Sequence, residues 1–561
     1  MRLSSLVCVS LVCASGLLLG CSSSDDADGD DDSAAGASLC EAETGMGVYS
    51  GTVKDEAGDP MEGVMVRLHK DVGLSESVFT NAEGEFSLAT HLSGVLRVRL
   101  RLPYFDDVTA NLELGEGEEL SEDHVMEATT GDAQISNSLP AAFHFGQLPF
   151  DPNEDDEFSR SQFRMACLHC HQMGNPYTRV PRTAEGWQPI MDRMDAEFGT
   201  TDRGLSARRS AFLSAGFNGQ LVTARPEFPL DPSLAYTKIY EVEMASTFAP
   251  HDAIFNPNDG LIYTVDQGVH QMVVTDMETG DSEYVTGEPG DGPHSLDMGL
   301  DGNYYVTNAN GNNIGVFNPE TREWEARLGL RDGLVYPHTI RVGADGMVWF
   351  TMTAHRSAVV ARLDPATGEF DFVESVSHTP TNGASGITEP YGIDISPTDG
   401  FVWYGRLMGD KIGKIDPVTL EVTEYDSPVR GPRRMRFDES GILWLAGWTD
   451  GEIVRIDPDG FETTVYPMPR LVDEIPGSPY ALGVHPETQD IWVNETMHDR
   501  IYRFIPDEER WIMYPVPLSG TYTRDMTFTD DGKICMSNHA IPRAALEDGV
   551  LGLLCFKVGC E

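Results

Sequence analysis

The chain has 561 residues, with 39 Lys+Arg against 90 Asp+Glu and a formal net charge of −51. That length exceeds what one hydrophobic core organises and predicts about three or four domains at roughly 100–200 residues each, while 40% hydrophobic and 23% charged residues exclude bulk disorder. So acidic a chain repels phosphate backbones and anionic headgroups, which excludes nucleic acid as a partner, and beyond residue 20 no apolar run approaches the ~20 residues that cross a bilayer.

Residues 1–20 hold one early cation, Arg2, then the apolar stretch LVCVSLVCASGLLL and a small residue before Cys21, the pattern of a secretory signal. The run Leu18-Leu19-Gly20-Cys21 resembles a bacterial lipobox, which implies lipidation of Cys21. Ser22 follows instead of the Asp that retains many lipoproteins in the inner membrane, so the expected location is the outer membrane, on its periplasmic or surface face. The lipid is then the only membrane contact. Residues 21–45 read as an acidic tether, with six Asp among Ser, Ala and Gly between positions 22 and 39.

Residues 46–130 alternate apolar and polar, as in Val64-Met65-Val66-Arg67-Leu68, and read as short strands separated by turns. The pattern Gly51-x-Val53-x-Asp55-x-x-Gly58-x-Pro60-x-x-Gly63, then Thr80-Asn81-x-x-Gly84-x-Phe86 and Gly94, resembles the carboxypeptidase regulatory-like domain. The resemblance implies a transthyretin-like β-sandwich without catalytic residues of its own.

Within residues 137–230 stands Cys167-Leu168-His169-Cys170-His171, a CxxCH motif. Two thiols three residues apart reach the two vinyl groups of one porphyrin, and the adjoining imidazole, His171, ligates the iron, so the motif predicts covalent haem c in an exported protein. A bare CxxC disulfide and half a zinc site are the other readings of such spacing, and the sixty residues after His171 supply no further Cys or His for zinc. Residues 164–172 and the stretch from Thr183 read as two short helices. The text Gly186-Trp187 through Met191-x-Arg193-Met194 resembles small mono-haem cytochrome c-like domains, which implies Met194 as the distal ligand, with Met191 on the same helical face as the alternative. Both methionines also suit a helix core.

From residue 234 to 561 the chain repeats with a period of about 45, the mark of a propeller or similar array. Pro250-His251, Pro293-His294, Pro337-His338, Pro390-Tyr391, Pro432-Arg433, Pro479-Tyr480 and Thr523-Arg524 open seven units. Asp301-Gly302, Asp345-Gly346, Asp399-Gly400 and Asp531-Gly532 predict type I′ hairpin turns. The last unit is short, and Tyr236 to Val242 can supply its missing outer strand and close the ring. "PHTIRVGADGMVWFT" and "PYGIDISPTDGFVWYG" resemble the virginiamycin B lyase (streptogramin lyase) family, which implies a seven-bladed β-propeller. In that family an inner-strand His acts as general base, with a Glu and a magnesium ion; here the Glu position is Glu495 but the base position is Tyr480. An ordinary Tyr titrates near pKa 10 and is a poor base at neutral pH.

If the repeats are equivalent, His251, His294, His338, Tyr391, Arg433, Tyr480 and Arg524 converge on one mouth of the central channel. The three imidazoles suit a divalent metal such as Mg and, with Glu495, are the candidate catalytic residues. Tyr391, Arg433, Tyr480 and Arg524 are candidates for an anionic small-molecule ligand. A polar channel mouth without chemistry explains the same residues. Asn308, Arg406, Asn538 and His539 form a second tier. The remaining cysteines suggest disulfides Cys535–Cys555, across the last unit, and Cys40–Cys560, between the chain ends. The predicted architecture is thus mainly β: a seven-bladed propeller preceded by a β-sandwich and a small helical cytochrome c-like domain. Two functional classes follow: an exported haem protein with oxidoreductase-type chemistry and a redox protein partner, or a virginiamycin B lyase-like lyase or ligand-binding propeller whose haem domain is an accessory.

Overall fold

The computed structural model describes residues 46–70, 73–151, 158–198, 205–331, 333–353, 359–376, 390–472 and 475–559. The signal, the tether, Cys21, Cys40 and Cys560 lie outside the described residues. Among them, no helix is long and apolar enough to cross a membrane.

Seven antiparallel sheets make the propeller. The innermost strands of the first six blades are Pro250–Asn256, Pro293–Met298, Pro337–Val342, Ile393–Ile395, Pro432–Phe437 and Pro479–Val484. Blade seven runs Thr523–Phe528, Ile534–Asn538, Gly552–Val558, and its fourth strand is Thr237–Glu243, brought from the start of the repeat region. The register Gly552↔Glu243 to Val558↔Thr237 closes the ring. Cys535 and Cys555 stand opposite one another in this blade and form a disulfide.

The D-G turns differ from the expected type I′. Gly302, Gly346, Gly400 and Gly532 have φ of 81°, 81°, 74° and 81°, whereas the preceding Asp residues are not left-handed. Type I′ requires φ > 0 at both central positions. The connections are longer than two residues, as between Met298 and Tyr304, so a right-handed turn ending on one left-handed Gly suffices.

The closing strand does not end the sheet. Its free edge pairs with Leu74–Phe79 of the sandwich (Leu74↔Val242 to Ser77↔Ile239), so eight strands run continuously from blade seven through Met65–His69 and Gly94–Arg101 to Val108–Leu114. Two buried ion pairs stitch this seam, Lys238–Glu76 at 3.1 Å and Arg67–Glu241 at 2.7 Å. The second sandwich sheet is Gly47–Asp55 with its partners, and the core around Tyr49, Val66, Leu88 and Val98 extends into the propeller at Met244, Ile262 and Cys555.

Five helices follow the sandwich: Asp132–Ser138, Ala141–Phe145, Arg160–Cys167, Ala184–Phe198 and Ser206–Gly216. The expected helix over residues 164–172 instead begins at Arg160, capped by Ser159 accepting from the Gln162 N–H, and stops at Cys167, so the rest of the CxxCH motif is a loop. Between these helices and the propeller, Phe145, Phe163, Met165, Leu168 and Trp187 pack in one cluster with Tyr391, Trp448, Ile475 and Met497.

Candidate functional site

In six blades the pairing between the first two strands shifts register just after the opening residue, for example between Pro250 and Ala253 and between Pro432 and Met435. Such bulges re-aim side chains. Here the opening residue and the residue after it both meet partners from other blades, and the channel acquires two chemically different layers.

The upper layer is the ring expected from the repeats. The His251 and His294 rings stand 3.7 Å apart, His294 and His338 4.1 Å, and His338 and Tyr391 4.2 Å between centroids. The Tyr391 and Tyr480 hydroxyls are 3.2 Å apart, and Arg433 Nη2 donates to Tyr391 at 2.8 Å while its guanidinium lies 3.9 Å over the Tyr480 ring. Arg524 donates to the Tyr480 hydroxyl at 3.2 Å and meets His539 Nε2 at 3.0 Å, and His539 returns to His251 at 5.8 Å between centroids. Every member is buried. Burial, reinforced by neighbouring cations, holds His251, His338 and His539 well below the ordinary imidazole range and His294 at about 3, so all four are neutral. Neutral imidazoles are competent metal ligands, and one atom each from His251, Asp252 and His294 lie within 4.8 Å of one another.

The lower layer is ionic. Asp252 takes Arg434 through both carboxylate oxygens at 2.9 and 3.0 Å, Arg434 reaches Asp525 at 2.7 Å, and Asp525 also holds Arg341 at 3.0 Å and Arg436. Arg341 extends the belt to Asp394 at 3.6 Å, a carboxyl that burial pushes up to about 7.

Glu495 does not join the ring. It ends the second strand of its blade and accepts N–H bonds from Met497 at 2.7 Å, Ser478 at 3.4 Å and His498. Burial pushes it up to about 8. Asp266 and Asn538 end the equivalent strands and brace their loops likewise, Asp266 taking the N–H groups of Phe248 and Ala249 and Asn538 that of Tyr522. Asn308 bonds Asn313 at 2.8 Å, and Arg406 pairs with Glu424 at 3.3 Å.

The mouth is roofed, not open, and the roof is the CxxCH loop. The Leu168 carbonyl accepts from the Tyr522 hydroxyl, the Cys170 carbonyl from the Ile541 N–H at 3.0 Å and the His169 carbonyl from Arg524 at 3.5 Å. His169 stands edge-on to Trp448, 4.7 Å between centroids, and Arg433 lies 3.1 Å from that Trp ring. Arg164 pins the preceding helix by donating to the carbonyls of Thr449 at 2.7 Å, Pro476 at 2.9 Å and Gly477. Burial lowers this guanidinium to about 10. Cys167, His169, Cys170 and His171 of the loop also line a small apolar cavity together with Trp187, Ile190, Met191 and Met194. His171 Nδ1 lies 3.1 Å from the Gln172 carbonyl, which engages that nitrogen and leaves Nε2 as the ligating atom, the tautomer a metal-bound imidazole adopts. Burial keeps His171 neutral by lowering its pKa. The donor types are those haem c takes, and both methionines belong to the lining of the same cavity.

Residues 235–475, the closing strand through blade five, match the virginiamycin B lyase family. The wheel is virginiamycin B lyase-like. Residues 49–127 match the carboxypeptidase regulatory-like domain. Among solved structures, the chain is similar to one described as a streptogramin B lyase (18% identity, TM-score 0.49, covering 58% of this chain and 98% of that one). It is also similar to selenomethionine-substituted virginiamycin B lyase from Staphylococcus aureus (17%, 0.47, 57% and 99%) and to Kuenenia stuttgartiensis hydrazine synthase (14%, 0.44, 54% and 96%). No curated protein matches the chain.

Proposed function

We propose that this protein is an exported, lipid-anchored haem protein that binds a small molecule in the roofed mouth of its lyase-like propeller. The observation that carries this reading is the shared boundary: His169 and the backbone of the CxxCH loop touch Trp448, Tyr522 and Arg524 at the ring, and His169 also lines, with Cys167, Cys170 and His171, the adjoining cavity. Cys167 and Cys170 would anchor the haem, His171 would ligate it, and Met194 or Met191 would stand opposite. A bound haem c supplies a one-electron couple beside the ligand. The neutral ring imidazoles and Tyr480 hold or move protons in the chamber, the His251–Asp252–His294 cluster suits a divalent cation such as Mg, and the packed roof excludes water. A redox protein partner would exchange electrons from the cavity side.

The test is a pyridine haemochrome spectrum of protein exported with its own signal. Covalent haem that disappears in Cys167→Ser/Cys170→Ser is expected, and wild-type protein without it ends the haem reading. The family match over 235–475 favours a second reading, a lyase or ligand-binding propeller with the helical cap as an accessory. Magnesium-dependent opening of virginiamycin B by the cysteine variant would establish that one.

A further inference from the structure

Every arginine of the lower belt has a carboxylate, but the two in the upper ring have none among the described residues. Arg433 is 0% exposed and Arg524 4%. Arg433 bonds the Tyr391 hydroxyl and stacks on Trp448 and Tyr480; Arg524 meets Tyr480, His539 and the His169 carbonyl. Three of their donors, Arg433 Nε, Arg433 Nη1 and Arg524 Nε, are buried with no hydrogen-bond partner among the described residues, against one in the belt below, Arg434 Nε. A buried guanidinium without a counter-charge is costly, and burial that leaves its donors unused adds to the cost. The layer is built around a missing negative charge.

We propose that the roofed mouth is a binding chamber for one small monovalent oxyanion, of the carboxylate or nitrate kind, held by Arg433 and Arg524, and that Tyr480 exchanges its phenolic proton against that anion. Tyr480 is placed for this. It lies under Arg433, accepts from Arg524 and is 5.5 Å from the Arg434 guanidinium, all without a carboxylate in hydrogen-bond contact. Burial alone would raise its pKa, but Arg524, then Arg434 and Arg433, outweigh burial and bring it down to about 8. The other groups facing it do not compete for the role. Tyr391 and Tyr522 are pushed up by burial, His539 and His169 are held neutral, and Asp252 is engaged by Arg434. With no anion bound, phenolate supplies the missing charge at alkaline pH; with an anion bound, the phenol keeps its proton.

This inference deepens the ligand-binding reading and rests on it, but not on haem. Calorimetric titration of the full-length protein with sodium formate, acetate and nitrate tests it at pH 6.5 and 9.5, in buffers of different ionisation enthalpy. One site is expected, at least tenfold weaker at the higher pH, with close to one proton taken up per anion there. Tyr480→Phe keeps the site and flattens its pH dependence; Arg524→Gln and Arg433→Gln weaken it at least tenfold, with circular dichroism confirming the fold. In 13Cζ-tyrosine spectra one resonance, absent from Tyr480→Phe, titrates near pH 8 and moves up with formate. No binding of any probe by the wild type, or binding indifferent to pH and to Tyr480→Phe, overturns the proposal. Haem content, read from the same samples, fails or stands independently.

Discussion

Arg433 and Arg434, like Arg524 and Asp525, are neighbours in sequence yet belong to different worlds. The lower of the two channel layers is an ionic chain in which Asp252, Asp394 and Asp525 answer Arg341, Arg434 and Arg436. The upper has neutral imidazoles, tyrosines and two guanidiniums with no carboxylate among the described residues. Satisfied charge holds blades together; unsatisfied charge is what a protein keeps for a ligand. A bulge in six of the inner strands lets one repeat pattern supply both.

The contrast can be broken most forcefully at Asp525. Asp525→Asn removes the carboxylate that Arg341, Arg434 and Arg436 share, leaves Arg436 with none among the described residues, and should cost about 3–5 kcal/mol in denaturant unfolding, whereas Arg524→Gln, one residue away, removes an uncompensated charge and should leave stability level or higher. Equal losses from both would erase the distinction between layers. A smaller effect is expected at the roof, where Arg164→Met forfeits charge-assisted bonds to three carbonyls worth about 2 kcal/mol. Hydrogen exchange should then quicken over residues 160–171 while the inner strands stay protected. The term that Tyr480 contributes shows only in the pH dependence. Its folded pKa, about 8, lies below the ordinary 10, so its contribution is present above pH 10 and lost as pH falls through 8. Wild type should therefore gain stability over Tyr480→Phe between pH 8 and 10, by up to ~1.4 kcal/mol per unit, and parallel unfolding curves would remove Tyr480 from the charge balance.

Repetition made the blades and the ring legible, because equivalent positions in a closed array must converge. The closing strand was legible too, from the one blade that lacked its share. What escaped was register. Asp252, Arg434 and Asp525 each follow an opening residue, but strict alternation along a strand would turn them away from the channel, and only the bulge brings them in. Trp448 occupies the repeat position of His539, one residue past the second strand, so aligning that column would have found it. The roof had no local signal, since CxxCH names a chemistry and not a neighbour. Glu495 was legible as a carboxylate, but only its three N–H partners show it bracing a turn.

The eight-stranded sheet also bears on the order in which the molecule is made. Thr237–Glu243 precedes every blade in sequence, yet its partner Gly552–Val558 belongs to the seventh, so one edge of the closing strand has nothing to bind until the wheel is complete. Exposed edges invite the wrong neighbour. Leu74–Phe79, already complete upstream, covers the other edge and fixes the strand's direction and register. The sandwich thus holds the first strand of the wheel in the register that the last blade needs.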